Sequence, residues 1–225
     1  APQSKEDSDI FNRFQLNGVK FIQTWKGCVY HMTCRGSRFA DGATRNPDGQ
    51  VFMKNRETDE WLAQNQRSTR NFLRKWGHFC KHDQFMKPII PPKYKIAFIL
   101  NGAGIDLLAA IEPWSDIVYC KNMHENTMNT YIEREQPNTT YSLNKRIMDI
   151  SRMTNNQDAG PNSKNYCNVI VSIDGALFNQ IDFQYIQQIS EIIEDSGDVG
   201  TFQLGNLSIN IKQLKSYEKA LIKVS

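Results

Sequence analysis

Three carboxylates stand close together near the start of this 225-residue chain: Glu6, Asp7 and Asp9, followed by Arg13 in the stretch EDSDIFNR. Ser8 to Leu16 reads as a short helix, with Ile10, Phe11 and Phe14 along one side and Asn17-Gly18 as its stop. Asp7 therefore falls at a helix start, where the positive end of the helix dipole keeps a carboxylate ionised. An ionised carboxylate so placed can take a proton from a hydroxyl. The second chemical candidate is His31, which follows the apolar Cys28, Val29 and Tyr30. A neutral imidazole at a strand end can supply one ligand to a divalent cation, with carboxylates elsewhere supplying others. Plainer roles compete with both. Asp7 or Ser8 can be an N-cap and no more, and a lone His at a strand end can simply pack.

Between and beyond these residues lie Gly18, Lys20, Trp25 and the basic pair Arg35 and Arg38. The order of parts runs from an acidic pair through a short helix, a Gly-Val-Lys turn and a strand to a His and a basic loop. It resembles the acceptor-side half of the family 2 glycosyltransferases of the GT-A fold. The resemblance covers residues 5–38 and extends loosely to 92. Within that extension, Arg70-Asn-Phe-Leu-Arg-Lys-Trp-Gly77 is similar to a segment that follows the catalytic domain in some relatives.

The resemblance implies an enzyme that moves a sugar from a nucleotide-sugar donor to the hydroxyl of a glycan acceptor. It implies Asp7 as the base, and Glu6, Asp9 and Trp25 as residues that shape the acceptor pocket. His31 would hold a Mn or Mg ion that neutralises the leaving diphosphate. Arg35 and Arg38 would face the diphosphate or belong to a closing loop. In the family, a first strand, a Rossmann-like sheet and an Asp-x-Asp metal motif come before this segment. Here four residues precede Lys5, and the Asp-x-Asp present, Asp7-Ser8-Asp9, lies inside the base motif. A donor site is therefore expected from a preceding segment or from an assembly partner. The alternative is a non-catalytic structural or interaction protein that retains half of an enzyme fold. Ala1 fits either removal of an initiator Met or proteolysis.

Composition bounds the rest. Hydrophobic residues make up 40% of the chain and charged residues 23%, enough for an ordinary core. No apolar run approaches the ~18 residues of a membrane-spanning helix, and no secretory signal is visible. Five scattered cysteines without a Cys-x-x-Cys pair argue against a zinc ribbon or a disulfide framework, and the expected compartment is the cytoplasm. The net charge of +3 conceals an asymmetry. Residues 1–95 carry 17 Lys and Arg against 9 Asp and Glu, and residues 96–225 carry 10 against 15. The basic half could face phosphates, or the two halves could attract each other.

The elements that must position these residues divide at Pro88-Ile-Ile-Pro-Pro92, a stiff connector. Residues 1–87 form the GT-A-like segment and 93–225 a small Rossmann-like α/β layer domain. In the first, Val19–Gln23 and Cys28–Met32 read as strands, 35–56 as a loop or hairpin, and Thr58–Trp76 as a helix. Arg67, Arg70 and Arg74 share one face of that helix and could grip phosphate, though a solvated basic face is the commoner case. A nucleic-acid role for 56–95 lacks any recognised module, so nucleic acid is not expected as a partner.

In the second region the apolar runs Tyr94–Leu100 and Asn168–Ile173 read as buried parallel strands. Ile105–Ile111 reads as a helix, Ile117–Cys120 as a strand, and 126–153 as two helical stretches split at Pro137. A helix capped by Asp182 follows, with Phe183, Ile186, Ile189 and Ile193 inward. A hairpin turns at Gly205-Asn206, and a short helix begins at Lys215. Asn101-Gly-Ala-Gly104 is similar to a dinucleotide loop, but the third glycine is replaced by Leu107. Asp174-Gly175 ends a strand where α/β folds place ligands.

Overall fold

Two apolar runs, Ile96-Ala-Phe-Ile-Leu100 and Val169-Ile-Val-Ser-Ile173, carry almost no polar side chain and so favour burial on both faces. They form the two central strands of a six-stranded, mostly parallel sheet flanked by helices. The computed structural model describes residues 5–22, 24–27, 59–124, 126–151 and 167–222. In chain order its main elements are α1 (Glu6–Leu16), α2 (Asp59–Trp76), β1 (Ile96–Asn101), α3 (Ile105–Ile111), β2 (Ile117–Lys121), α4 (Thr127–Glu135) and α5 (Leu143–Arg146). They continue with β3 (Ile147–Asp149), β4 (Val169–Asp174), α6 (Gln180–Gln187), α7 (Ile189–Ser196), β5 (Gly200–Leu204) and β6 (Leu207–Ile211).

The strand order is β3-β2-β1-β4-β6-β5. β1 pairs in parallel with β2 and β4, and β2 with β3. The β5–β6 hairpin adds antiparallel to β4. Register puts Phe98 level with Val118 and Val171, and Val171 level with Ile209, so one face carries an unbroken apolar layer. Leu108, Ile111, Tyr131, Leu143, Ile186 and Ile193 cover it. Leu73 of α2, from before the Pro88–Pro92 connector, belongs to the same core. The opposite face carries Ala97, Ile117, Tyr119 and Ile170, packed with Cys167.

Several elements differ from the sequence reading, each for a local reason. Ile147-Met148-Asp149, expected as helix, is strand β3: Arg146 turns inward to an acidic partner, and β-branched Ile147 enters the sheet beside Val118. The helix expected to start at Asp182 starts earlier. Asn179 is the N-cap and Asp182 stands at the third position, the two closing a reciprocal capping box. That helix also breaks at Gln188, leaving α6 and α7 as separate segments. Residues 19–22 form no strand, after Gly18 turns the chain at φ +77°. The terminal helix is a short 3₁₀ turn at Glu218–Ile222. The expected strand Cys28–Met32 and the loop 35–56 lie outside the described residues. No helix among the described residues is long and apolar enough to cross a membrane.

Candidate functional site

The first turn of α1 holds Glu6, Asp7 and Asp9 together. They do not point the same way, because residues two apart on a helix are separated by about 200°. Asp9 faces α2. Its Oδ1 accepts a hydrogen bond from Trp76 Nε1 at 2.8 Å and a second from Lys75 Nζ, and its Oδ2 pairs with Arg13 at 3.1 Å. Trp76 is buried, 1% exposed, so this carboxylate anchors α1 on the end of α2. Asn12, three residues after Asp9 and on the same side, is buried as well. Asp7 consequently faces outward, exposed and without an ion pair or side-chain hydrogen bond among the described residues. Glu6 is exposed and accepts the Lys5 backbone N–H at 2.9 Å.

A carboxylate on an anchored helix, open to solvent on its outer side, has the geometry of a proton acceptor for a docked hydroxyl. Of the other expected site residues, Trp25 starts a single 3₁₀ turn, Trp25–Gly27. His31, Arg35 and Arg38 lie outside the described residues. Among the described residues no group of three or more His, Cys, Asp or Glu side chains is placed to hold a metal ion.

Two of the three arginines on the basic face of α2, Arg70 and Arg74, are engaged by acidic side chains of the fold. Arg70 forks onto Glu135 through two bonds of 2.8 Å. Arg74 reaches Glu112 at 2.7 Å and Glu135 at 2.8 Å with no exposed side-chain surface. Arg146 reaches the other oxygen of Glu112 at 2.7 Å, and Tyr131 donates to Glu112 at 3.0 Å. Burial alone would raise the Glu112 carboxyl; the Arg74 and Arg146 guanidiniums overcome that and hold it below its ordinary value. Two guanidiniums and a phenol satisfy one buried carboxylate, which is what makes such burial tolerable. The network clamps α2 to α4, α5 and the turn after α3.

His78 follows α2 and is buried, with Nδ1 2.6 Å from the Phe79 carbonyl oxygen. Burial pushes its pKa down to about 4. It packs edge-on to Phe72, with Trp76 beside it. His82, four residues on, is exposed, with Nδ1 3.0 Å from the Asp83 carbonyl oxygen.

The glycine loop after β1 is stitched to its neighbours. Gly102 N–H donates to the Lys121 carbonyl at 2.9 Å, and Gly175 N–H to the Asn101 carbonyl at 2.8 Å. A Cβ on Gly175 would lie 2.9 Å from Ala103 Cα and from the Gly102 carbonyl oxygen. The loops after β1 and β4 therefore meet backbone to backbone, where a nucleotide fold would keep a crevice. Asp174 caps its own turn through Ala176 N–H.

No family model, curated protein or solved structure matches the chain.

The residues that sequence reasoning missed are those that hold the site in place. Lys75 and Trp76 are 66 and 67 residues from Asp9, and Glu112 is 38 from Arg74. Trp76 carried a signal only as the last residue of the helix expected over Thr58–Trp76. Nothing in the spacing of Glu112 and Glu135 marks them as partners of arginines.

Proposed function

We propose that the chain is the acceptor-side part of a metal-dependent glycosyltransferase that moves a sugar from a nucleotide-sugar donor to an acceptor hydroxyl. Residues 1–87 would be the partial GT-A-like segment, with the donor site supplied by a preceding segment or an assembly partner. One observation supports this reading beyond the motif itself. Asp9 fixes α1 on α2 while Asp7, two residues earlier, stays exposed and unpaired among the described residues.

In the reaction, Asp7 takes the proton of the acceptor hydroxyl as that oxygen bonds to the anomeric carbon. The bond from that carbon to the nucleotide diphosphate breaks, and the nucleotide leaves with the bonding pair. Glu6 and Trp25 border the acceptor. Arg35 and Arg38 would face the diphosphate or belong to a closing loop, and His31 would hold the Mn or Mg ion that offsets its charge. The test is nucleotide-sugar turnover by the polypeptide that the complete coding sequence specifies. Metal-dependent transfer or hydrolysis, lost in Asp7→Ala and in His31→Ala, agrees with the proposal. Full turnover in both variants, or none with any nucleotide sugar in the parent, rejects it.

A second reading, a non-catalytic interaction protein, is favoured by the large apolar side chains exposed on and after α1: Ile10, Phe11, Phe14 and Ile22. It predicts stable association with a partner through that face and no turnover.

A further inference from the structure

The two edges of the sheet are built differently. β3 is three residues long and ends in the charged Asp149. Shortness and charge both keep a sheet edge from pairing further. β5, at the other edge, is five residues long, and its sequence Gly200-Thr-Phe-Gln-Leu204 holds no proline and no charge. Gly200 to Gln203 are all exposed, so this edge is open to solvent.

Backbone alternation decides what the edge offers. Gly205-Asn206 joins β5 to β6 as a two-residue turn, with Leu204 opposite Leu207. The closing pair of such a turn exchanges both backbone bonds, and bonded and unbonded pairs then alternate along the ladder. Leu204, Phe202 and Gly200 therefore direct their N–H and C=O groups to β6. Thr201 and Gln203 direct theirs outward, where no strand lies beside them.

The two ends of this edge differ in character. Phe202 stands level with Ile209 and Val171, on the helix-covered face, and remains 37% exposed. At the turn end, Asn206 donates its N–H to Asp182 at 2.9 Å and its side-chain amide to the Leu177 carbonyl at 3.1 Å. Leu177, and Ile181 next to Asp182, are 60% and 57% exposed. At the start of the strand, Glu194, Asp195 and Asp198 are exposed and without an ion pair among the described residues.

We propose that β5 accepts an extended segment of another protein as a further strand, one with β-branched or apolar residues that ends in Lys or Arg. The outward groups of Thr201 and Gln203 supply its main-chain bonds, and the flanking side chains select its sequence. The antiparallel arrangement is the more stable per residue. So oriented, the leading residues of the segment lie toward Phe202, Leu177 and Ile181, and its trailing cations toward Asp195 and Asp198. Charge favours this occupant over a second copy of the chain. A second β5 laid alongside the first brings no cation and leaves both acidic clusters unmatched.

The experiment uses the full chain and two fluorescein-labelled peptides, Val-Thr-Val-Thr-Val-Arg-Lys and its counterpart ending in Glu-Glu. Fluorescence anisotropy reads binding to the parent, to Gln203→Pro and to Asp195→Lys/Asp198→Lys. All three positions are exposed, and near-UV circular dichroism verifies each fold. The Gln203 N–H faces away from β6, so proline there removes a donor to the incoming strand and none to the hairpin. The basic peptide should bind the parent saturably, with Kd raised about tenfold in each variant. The acidic peptide should bind more weakly than the basic one. Amide exchange at Thr201 and Gln203 should slow when the basic peptide is bound. No saturable binding, binding that Gln203→Pro leaves unchanged, or equal binding of the two peptides overturns the proposal. So does a parent that dimerises in sedimentation velocity through a contact that Gln203→Pro abolishes, since the occupant is then a second copy.

Discussion

Trp76, at the end of α2, donates its indole N–H to Asp9, in the first turn of α1, at 2.8 Å. That bond orients the N-terminal carboxylates. With Asp9 turned toward α2, the helical repeat turns Asp7 outward. An acidic cluster that looks uniform in sequence is thus divided into an anchor and an exposed carboxylate.

Asp9→Ala removes the acceptor from a buried indole and from Lys75. An unsatisfied buried donor costs about 1–3 kcal/mol, and here the loss falls on the docking of α1. Amide hydrogen exchange should accelerate across residues 6–16 while β1 and β4 stay protected. Unchanged protection in α1 would show that Asp9 does not hold the helix.

Glu112 sits between Arg74 and Arg146 with no exposed side-chain surface. Glu112→Gln leaves the buried Arg146 guanidinium without its countercharge and Arg74 with Glu135 alone, and breaking such a pair typically costs about 3–5 kcal/mol. Denaturant titration measures it. Arg70→Ala, at the half-exposed edge of the same network, should cost much less.

His78 gives a pH signature. Its pKa falls from 6.5 unfolded to about 4 folded, through burial. Between those values the unfolded chain binds a proton that the folded chain refuses. The contribution of His78 to stability is therefore complete above pH 6.5 and is lost as pH falls toward 4. The full loss is on the order of 3 kcal/mol. His78→Phe should flatten the stability profile across that window. A profile as steep as the parent's would place the acid sensitivity elsewhere.

At Gly175 a methyl group would meet backbone atoms at 2.9–3.0 Å from Ala103, Gly102 and Asn101. None of these is the movable end of a side chain. Gly175→Ala should therefore destabilise by about 1–3 kcal/mol, as overpacking does, and the thermal midpoint should drop. An unchanged midpoint would mean that the loops after β1 and β4 can part.

The α/β layer was legible because its signals are local. Tyr94–Leu100 and Asn168–Ile173 are apolar runs of strand length, and Gly205-Asn206 is a turn between two short strands. β3 was not legible, since three residues carry no period and Ile147 reads equally well as helix or strand. The α6 cap was read only in part. Asp182 belongs to it, but reciprocally with Asn179. The arginines of α2 were noticed for the chemistry they could do in isolation. For Arg70 and Arg74, acidic partners far away in sequence decide what they do in the fold. At the candidate site, residue type singled out Asp7, which lies on the exposed side of α1. The structural use of Asp9 depends on Trp76, which no spacing rule connects to it.

The most direct test compares Asp7→Asn with Asp9→Asn in nucleotide-sugar turnover, using the polypeptide that the complete coding sequence specifies. Loss of a general base lowers the rate by about 10²–10⁴-fold. The account predicts that loss for Asp7→Asn with α1 exchange protection unchanged. For Asp9→Asn it predicts a smaller loss that tracks the loosening of α1. Equal turnover in Asp7→Asn and the parent would contradict it.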